Sequence, residues 1–189
     1  MDIFEGRVSS SGFSSGNRVV IGDWYNSPLG EFTNVMLAKP DGTRILFAPS
    51  KEHAEYVSSL YSFEEVKIIP INVERGTNKI KVEADDLVVN MKWRGGIILP
   101  FPRPRWFIAK IENLFAGFIF GTKTYGITNN GRKEWYCVKK ISKIRCATAE
   151  LGEEDLGEMS DFQINACFGF SEPPRKPSSI RVTSMISNN

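Results

Sequence analysis

The chain has 189 residues and a single histidine, His53. That scarcity argues against Ser-His-Asp or Cys-His nucleophilic chemistry and against a histidine-rich metal centre. His53 also falls beside an apolar helical stripe, where a partly buried structural role is expected. Cysteine is almost as sparse: Cys137, Cys146 and Cys167 are odd in number and widely spaced. They match neither a disulfide framework nor a zinc site, so buried free thiols in a reducing compartment are expected. Phosphate-binding glycine loops are missing, because Gly12-Phe13-Ser14-Ser15-Gly16 has no lysine after it. Long apolar runs are missing too. The best, Trp106 to Phe120, carries Lys110, Glu112 and Asn113 and is too short and too charged to span a bilayer. Met1 to Glu5 is acidic and has no signal-peptide apolar region, so a cytoplasmic location is expected. A net charge of +2 gives no basis for a nucleic-acid or acidic-membrane partner. No metal and no cofactor is expected.

What is present is an ordinary globular composition, 41% apolar and 24% charged. The length suits one domain over residues 1–189. Short strand-like runs dominate: 18–21, 31–39, 44–48, 66–73, 79–84, 87–93, 143–151, 162–170 and 180–186. Asp41-Gly42 marks a hairpin turn. Two helices interrupt them. Ser50 suits an N-cap before the stripe Ala54, Val57, Leu60 and Tyr61. Pro104 suits the first turn of a second helix to Phe118, with Phe107, Ile111, Leu114, Phe115 and Phe118 on one face. Many strands and few helices predict a mainly β, α+β fold, either barrel or sandwich.

Chemistry concentrates in Gly131-Arg132-Lys133-Glu134-Trp135-Tyr136-Cys137-Val138-Lys139-Lys140-Ile141. On a strand, alternation puts Trp135, Cys137, Lys139 and Ile141 on one face and Tyr136, Val138 and Lys140 on the other. A lysine in an apolar row beside a second cation has two reasons to lose its proton, desolvation and like-charge repulsion. A neutral lysine can attack a ketone to form a Schiff base. The competing reading is a solvated Lys-Lys pair at a strand end.

This segment resembles the active-site stretch of acetoacetate decarboxylases, where a Gly-Arg pair precedes the Schiff-base lysine and a second lysine. Lys139 and Lys140 fall on those two positions. Ser27-Pro28-Leu29-Gly30-Glu31-Phe32-Thr33-Asn34 resembles a second family run that ends in a catalytic glutamate; this chain has Asn34 there. Asn17-Arg18 is similar to a stretch with an arginine for the substrate carboxylate. The resemblance implies a β-barrel with two or three short helices around a small-molecule ligand. It implies Lys139 as nucleophile and Lys140 as the neighbour that activates it.

The expected site therefore comprises Lys139 and Lys140 as catalytic residues and Arg18, Phe32, Asn34, Met36, Trp135 and Cys137 as ligand-binding residues. Asn34 can hydrogen-bond a carbonyl but cannot serve as an acid or base near neutral pH. Glu31 and Glu134 fall on the opposite faces of their strands and do not replace the missing carboxylate. Arg132, after the turn Asn129-Asn130-Gly131, is expected to satisfy backbone or a carboxylate at a barrel rim. Two functions stay open: a Schiff-base lyase acting on a small keto acid or ketone, and a non-catalytic binder of a small apolar or carboxylated molecule. A homo-oligomer is compatible with either. Under denaturing, reductant-free conditions a thiol reagent is expected to count three reactive cysteines; a count of one would show a disulfide.

Overall fold

The computed structural model describes residues 1–99, 124–162, 168–170 and 173–188. The expected helix from Pro104 to Phe118, Cys167 and most of the expected strand 162–170 lie outside them. Within them the chain forms β1 (Asp2–Phe13), β2 (Arg18–Asn26), β3 (Phe32–Ala38), β4 (Arg44–Ala48), α1 (Lys51–Leu60), β5 (Glu65–Ile68), β6 (Ile71–Gly76), β7 (Lys79–Ala84), β8 (Leu87–Ile98), β9 (Tyr125–Ile127), β10 (Lys133–Leu151), β11 (Glu154–Asp155), β12 (Met159–Ser160) and β13 (Ser178–Ile186). These strands join one sheet of order β5-β4-β3-β2-β1-β13-β10-β8-β7-β6. The fold is mainly β, and the sheet curls until Arg75 of β6 reaches Asp23 of β2 at 2.8 Å.

Why these segments form strands is clearest at β2 and β3. Both are apolar on both faces, as expected when neither side of a sheet meets water. Val19, Ile21, Val35, Leu37 and Phe47 enter one core with Val82, Val89 and Met91 from the far end of the sheet. On the other face Phe32 and Leu46 pack with Phe4 and with Ala54, Val57 and Leu60 of α1. That helix begins where the Ser50 hydroxyl accepts the His53 amide at 3.4 Å. Its apolar stripe, spaced three apart, covers the sheet.

Three departures from the sequence reading have physical causes. The alternation reading starts at Arg18 and passes over β1, although β1 lies in the middle of the sheet. Ser9, Ser10 and Ser11 are buried there. Each has a partner, Ser9 the Ser179 hydroxyl at 2.7 Å, Ser10 the Arg18 Nε at 3.5 Å and Ser11 the Gly12 carbonyl at 2.9 Å, and so the run shows no apolar periodicity. The run 66–73 is two strands, because Pro70 offers no amide and interrupts pairing. β5 then pairs β4 in parallel at one edge, and β6 pairs β7 at the other. Cys146 is exposed, whereas Cys137 is buried. No helix among the described residues is long and apolar enough to cross a membrane.

Phe47 is fully buried in the first core. Replacing it with alanine is expected to cost about 3–5 kcal/mol in a urea titration. A loss below about 1 kcal/mol would contradict this packing.

Candidate functional site

A cavity of about 130 Å³ lies between the sheet and α1. Phe4 and Val8 of β1, Trp24 of β2, Phe32 and Met36 of β3, and Val57 and Leu60 of α1 form its apolar walls. β13 adds Ile180, Val182 and Ile186, and β10 adds Val138. Each strand contributes alternate residues, so the cavity is one face of the pleat made concave.

Polar groups interrupt this lining at two places. The first centres on Glu134, which is 1% exposed. Ser184 donates to its Oε1 at 2.6 Å. The Tyr61 hydroxyl lies 3.0 and 2.9 Å from the two carboxyl oxygens, and the Tyr136 hydroxyl lies 2.5 Å from that of Tyr61. A carboxylate only accepts, so the single Tyr61 proton turns to Glu134 and Tyr136 must donate to Tyr61. Burial raises the Glu134 carboxyl above its ordinary value and outweighs the Ser184 and Tyr61 hydrogen bonds and the Arg132 charge. Burial, then the Glu134 charge, pushes both phenols well above theirs. This buried acid can hold a proton closer to neutrality than an exposed glutamate does.

The second polar place is Asn34, 2% exposed. The Trp24 indole donates to its Oδ1 at 3.2 Å. An indole nitrogen only donates, so this contact fixes which end of the amide is oxygen and leaves the NH₂ as two donors at the wall. Gly22 pairs directly with Asn34 across the ladder. A Cβ on Gly22 would lie 2.6 Å from that Oδ1 and 2.9 Å from the indole nitrogen. The Trp24–Asn34 contact therefore requires glycine at that position.

Of the residues expected at the site, Phe32, Asn34 and Met36 lie together on the cavity wall. Arg18 shares the cavity face of β2 with Val20 but sits beyond the wall, fully buried, with its guanidinium 3.8 Å from the Phe162 ring centre and 5.9 Å from that of Phe168. Its Nε faces Ser10 Oγ at 3.5 Å. Trp135, Cys137 and Lys139 are not on the wall; Glu134, Tyr136 and Val138 are. The alternation holds through Val138, but the face bearing Trp135 and Cys137 is the one turned away, and a bulge breaks the expected alternation before Lys140 and Ile141. Lys139 occupies a bulge, since pairing with β13 steps from Val138↔Val182 to Lys140↔Arg181. Its side chain is 40% exposed, and its Nζ meets Glu5 Oε1 at 2.9 Å. That contact, followed by the Asn26 amide, holds the Glu5 carboxyl below its ordinary value. Among the described residues Lys139 meets the Glu5 carboxylate and solvent, not the interior of an apolar row. Lys140 pairs Arg181 and also lies off the cavity wall.

Glu134 is the site residue that sequence reasoning passes over. The available signal was a lone carboxylate inside an aromatic strand, on the same face as Tyr136 and Val138. Arg132 meets its expectation at the rim: it donates to Asp2 Oδ2 at 2.6 Å and to the Ser187 carbonyl at 2.5 Å. Tyr56 of α1 donates to the same Asp2 oxygen at 2.8 Å, so this cluster clamps the helix over the cavity. Among the described residues no cluster of His, Cys, Asp and Glu is arranged to hold a metal ion.

No family model matches the sequence, and no curated protein matches it. Two solved structures are similar in fold. An acetoacetate decarboxylase from Legionella pneumophila aligns over 98% of this chain and 84% of its own, at 12% identity and a TM-score of 0.45. A further acetoacetate decarboxylase structure aligns over 98% and 86%, at 11% identity and a TM-score of 0.49.

The raised Glu134 value sets a pH dependence. Its contribution to stability is full below the unfolded value near 4.5 and is lost as pH rises through the folded value. Glu134→Gln cannot ionise. The variant is therefore expected to gain stability relative to the parent protein between pH 4.5 and 7.5, measured by urea unfolding at several pH values. A relative loss over that range would contradict a buried, destabilised carboxylate.

Proposed function

We propose that this protein binds a small, mostly apolar molecule in the cavity, with a carbonyl or carboxyl group of the ligand meeting Asn34 or the Glu134 cluster. One observation carries this reading. The cavity wall is mostly apolar, its buried polar side chains being those two places and Thr124, with Tyr56 at the rim, while Lys139 lies across the sheet in an ion pair with Glu5. An apolar cavity of about 150 Å³ takes up benzene, so the scale fits a ligand of about six non-hydrogen atoms. Even at the best efficiency of about 1.5 kcal/mol per atom, such a ligand gains about 9 kcal/mol. Micromolar to millimolar affinities are therefore the range to search.

A neutral Glu134 can donate to a ligand carbonyl, and an ionised one cannot. Ligands with an acceptor at one end are thus favoured at the lower end of the pH range. The lyase reading rests on the resemblance around Lys139 and Lys140. It requires the Lys139 amine to leave Glu5 and reach the ligand from the opposite face of β10.

The test is a fluorescence titration with short-chain ketones and carboxylic acids, since the Trp24 indole lines the cavity. A saturable change is expected. Val8→Phe, which fills the cavity from its wall, should weaken binding at least tenfold, and Lys139→Ala should change it less than twofold. Borohydride with a small keto acid is expected to leave no adduct. A covalent adduct at Lys139 would replace the binding reading with the lyase reading.

A further inference from the structure

The face of the sheet opposite the cavity carries a feature that the function above does not use. Ladder register places Asp23, Arg7, Arg181 and Lys140 in one row across β2, β1, β13 and β10. Directly paired residues of an antiparallel sheet point to the same side, with Cβ atoms about 5 Å apart. Three cations therefore stand side by side, with one acid at the end of the row. Like charges directly opposite each other destabilise a sheet. The usual remedy is a neighbouring carboxylate, but the acids here are already engaged. Asp23 accepts from Arg75 at 2.8 Å and from Thr33 at 2.8 Å. Glu5 accepts from Lys139 at 2.9 Å and from Asn26 at 3.3 Å.

Arg7 is the centre of this row. Its guanidinium reaches inward over the Trp93 ring, 4.7 Å from the ring centre. Trp93 belongs to the first core, so the guanidinium sits on the apolar floor of the curled sheet. Nη1 donates to Ser179 Oγ at 3.0 Å, which fixes the plane of the fork. Among the described residues no carboxylate lies within ion-pairing distance of Arg7, Arg181 or Lys140. A guanidinium has five N–H donors, and among the described residues one of those of Arg7 is used. Burial, then the Arg181 charge, pushes the Arg7 guanidinium below its ordinary value and outweighs the opposing charge of Asp23. Space beside Lys140 is kept by Gly96, where a Cβ would lie 2.7 Å from Lys140 Cε and 2.5 Å from Ser142 Oγ.

We infer that the patch formed by Arg7, Arg181 and Lys140 is a binding site for the doubly charged phosphate or carboxylate end of a small molecule, separate from the apolar cavity. A fork held over an indole suits two parallel hydrogen bonds to an oxyanion. The second guanidinium and the lysine then supply the charge that distinguishes a dianion from a monoanion. A low-dielectric floor strengthens this attraction relative to a flat surface.

The experiment follows the Trp93 indole N–H signal by NMR, assigned with Trp93→Phe, as inorganic phosphate, malonate or acetate is added at constant ionic strength in chloride. Saturable shifts with phosphate alone, malonate alone or both support the site and name the chemistry of its ligand. At least tenfold tighter binding than acetate is expected. Arg7→Lys, which keeps the charge but loses the fork, and Arg181→Ala should each weaken binding at least fivefold. Val8→Phe, which blocks the other cavity, should leave it unchanged, so the outcome is independent of the function proposed there. No saturable shift, equal affinity for acetate, or shifts indifferent to both arginine substitutions would overturn the inference.

Discussion

Everything in this molecule follows from one constraint: the central strands are buried on both faces, so each must satisfy two environments with alternate residues. β2 gives Val19 and Ile21 to one core and Val20 and Gly22 to the cavity. β3 divides Val35 and Leu37 from Asn34 and Met36 in the same way. A register slip of one residue would exchange the two sets, put Asn34 in the apolar core and leave the cavity without its polar end. The site and the core are therefore one decision, made by the ladder.

β10 shows how a bulge modifies that decision. Up to Val138 its even-numbered residues line the cavity; beyond the bulge Ile141 pairs Ile180, which lines it. The bulge inverts parity between these two points, and Lys139 is the residue left over. It leans to the side where Glu5 waits. The same irregularity aligns Lys140 with Arg181, so a single extra residue assigns both lysines to the charged side of the sheet.

The sequence made the fold class, α1 with its Ser50 cap, and most strands legible, because those features depend on local periodicity and capping. Phe32, Asn34 and Met36 were legible as neighbours for the same reason. Three things were not. β1 hides behind a serine run that lacks apolar periodicity, and Ser9 finds its partner, Ser179, only when distant strands meet. Pro70 divides a run whose composition is uniform. The choice of face in β10 could not be read from alternation, because period two says which residues are together and not which compartment they enter. Trp135 and Cys137 made one face look like the inside, while Glu134 made the other look wet. Burial with Tyr61, Ser184 and Tyr136 reverses that impression.

The pairing of β1 with β13 has a consequence for biosynthesis. Asp2 aligns with Ile186 and Ser10 with Ser178, so β1 leaves the ribosome long before the strand that completes it. Until residues 178–186 emerge, β1 has a bare edge, and the cavity lacks the wall formed by Ile180, Val182, Ser184 and Ile186. A nascent chain at that stage carries Phe4 and Val8 on a strand open to pairing with any other chain. The serines of β1 then have a second use. They keep the waiting strand polar enough to stay in water, and Ser9 exchanges that water for Ser179 when β13 arrives.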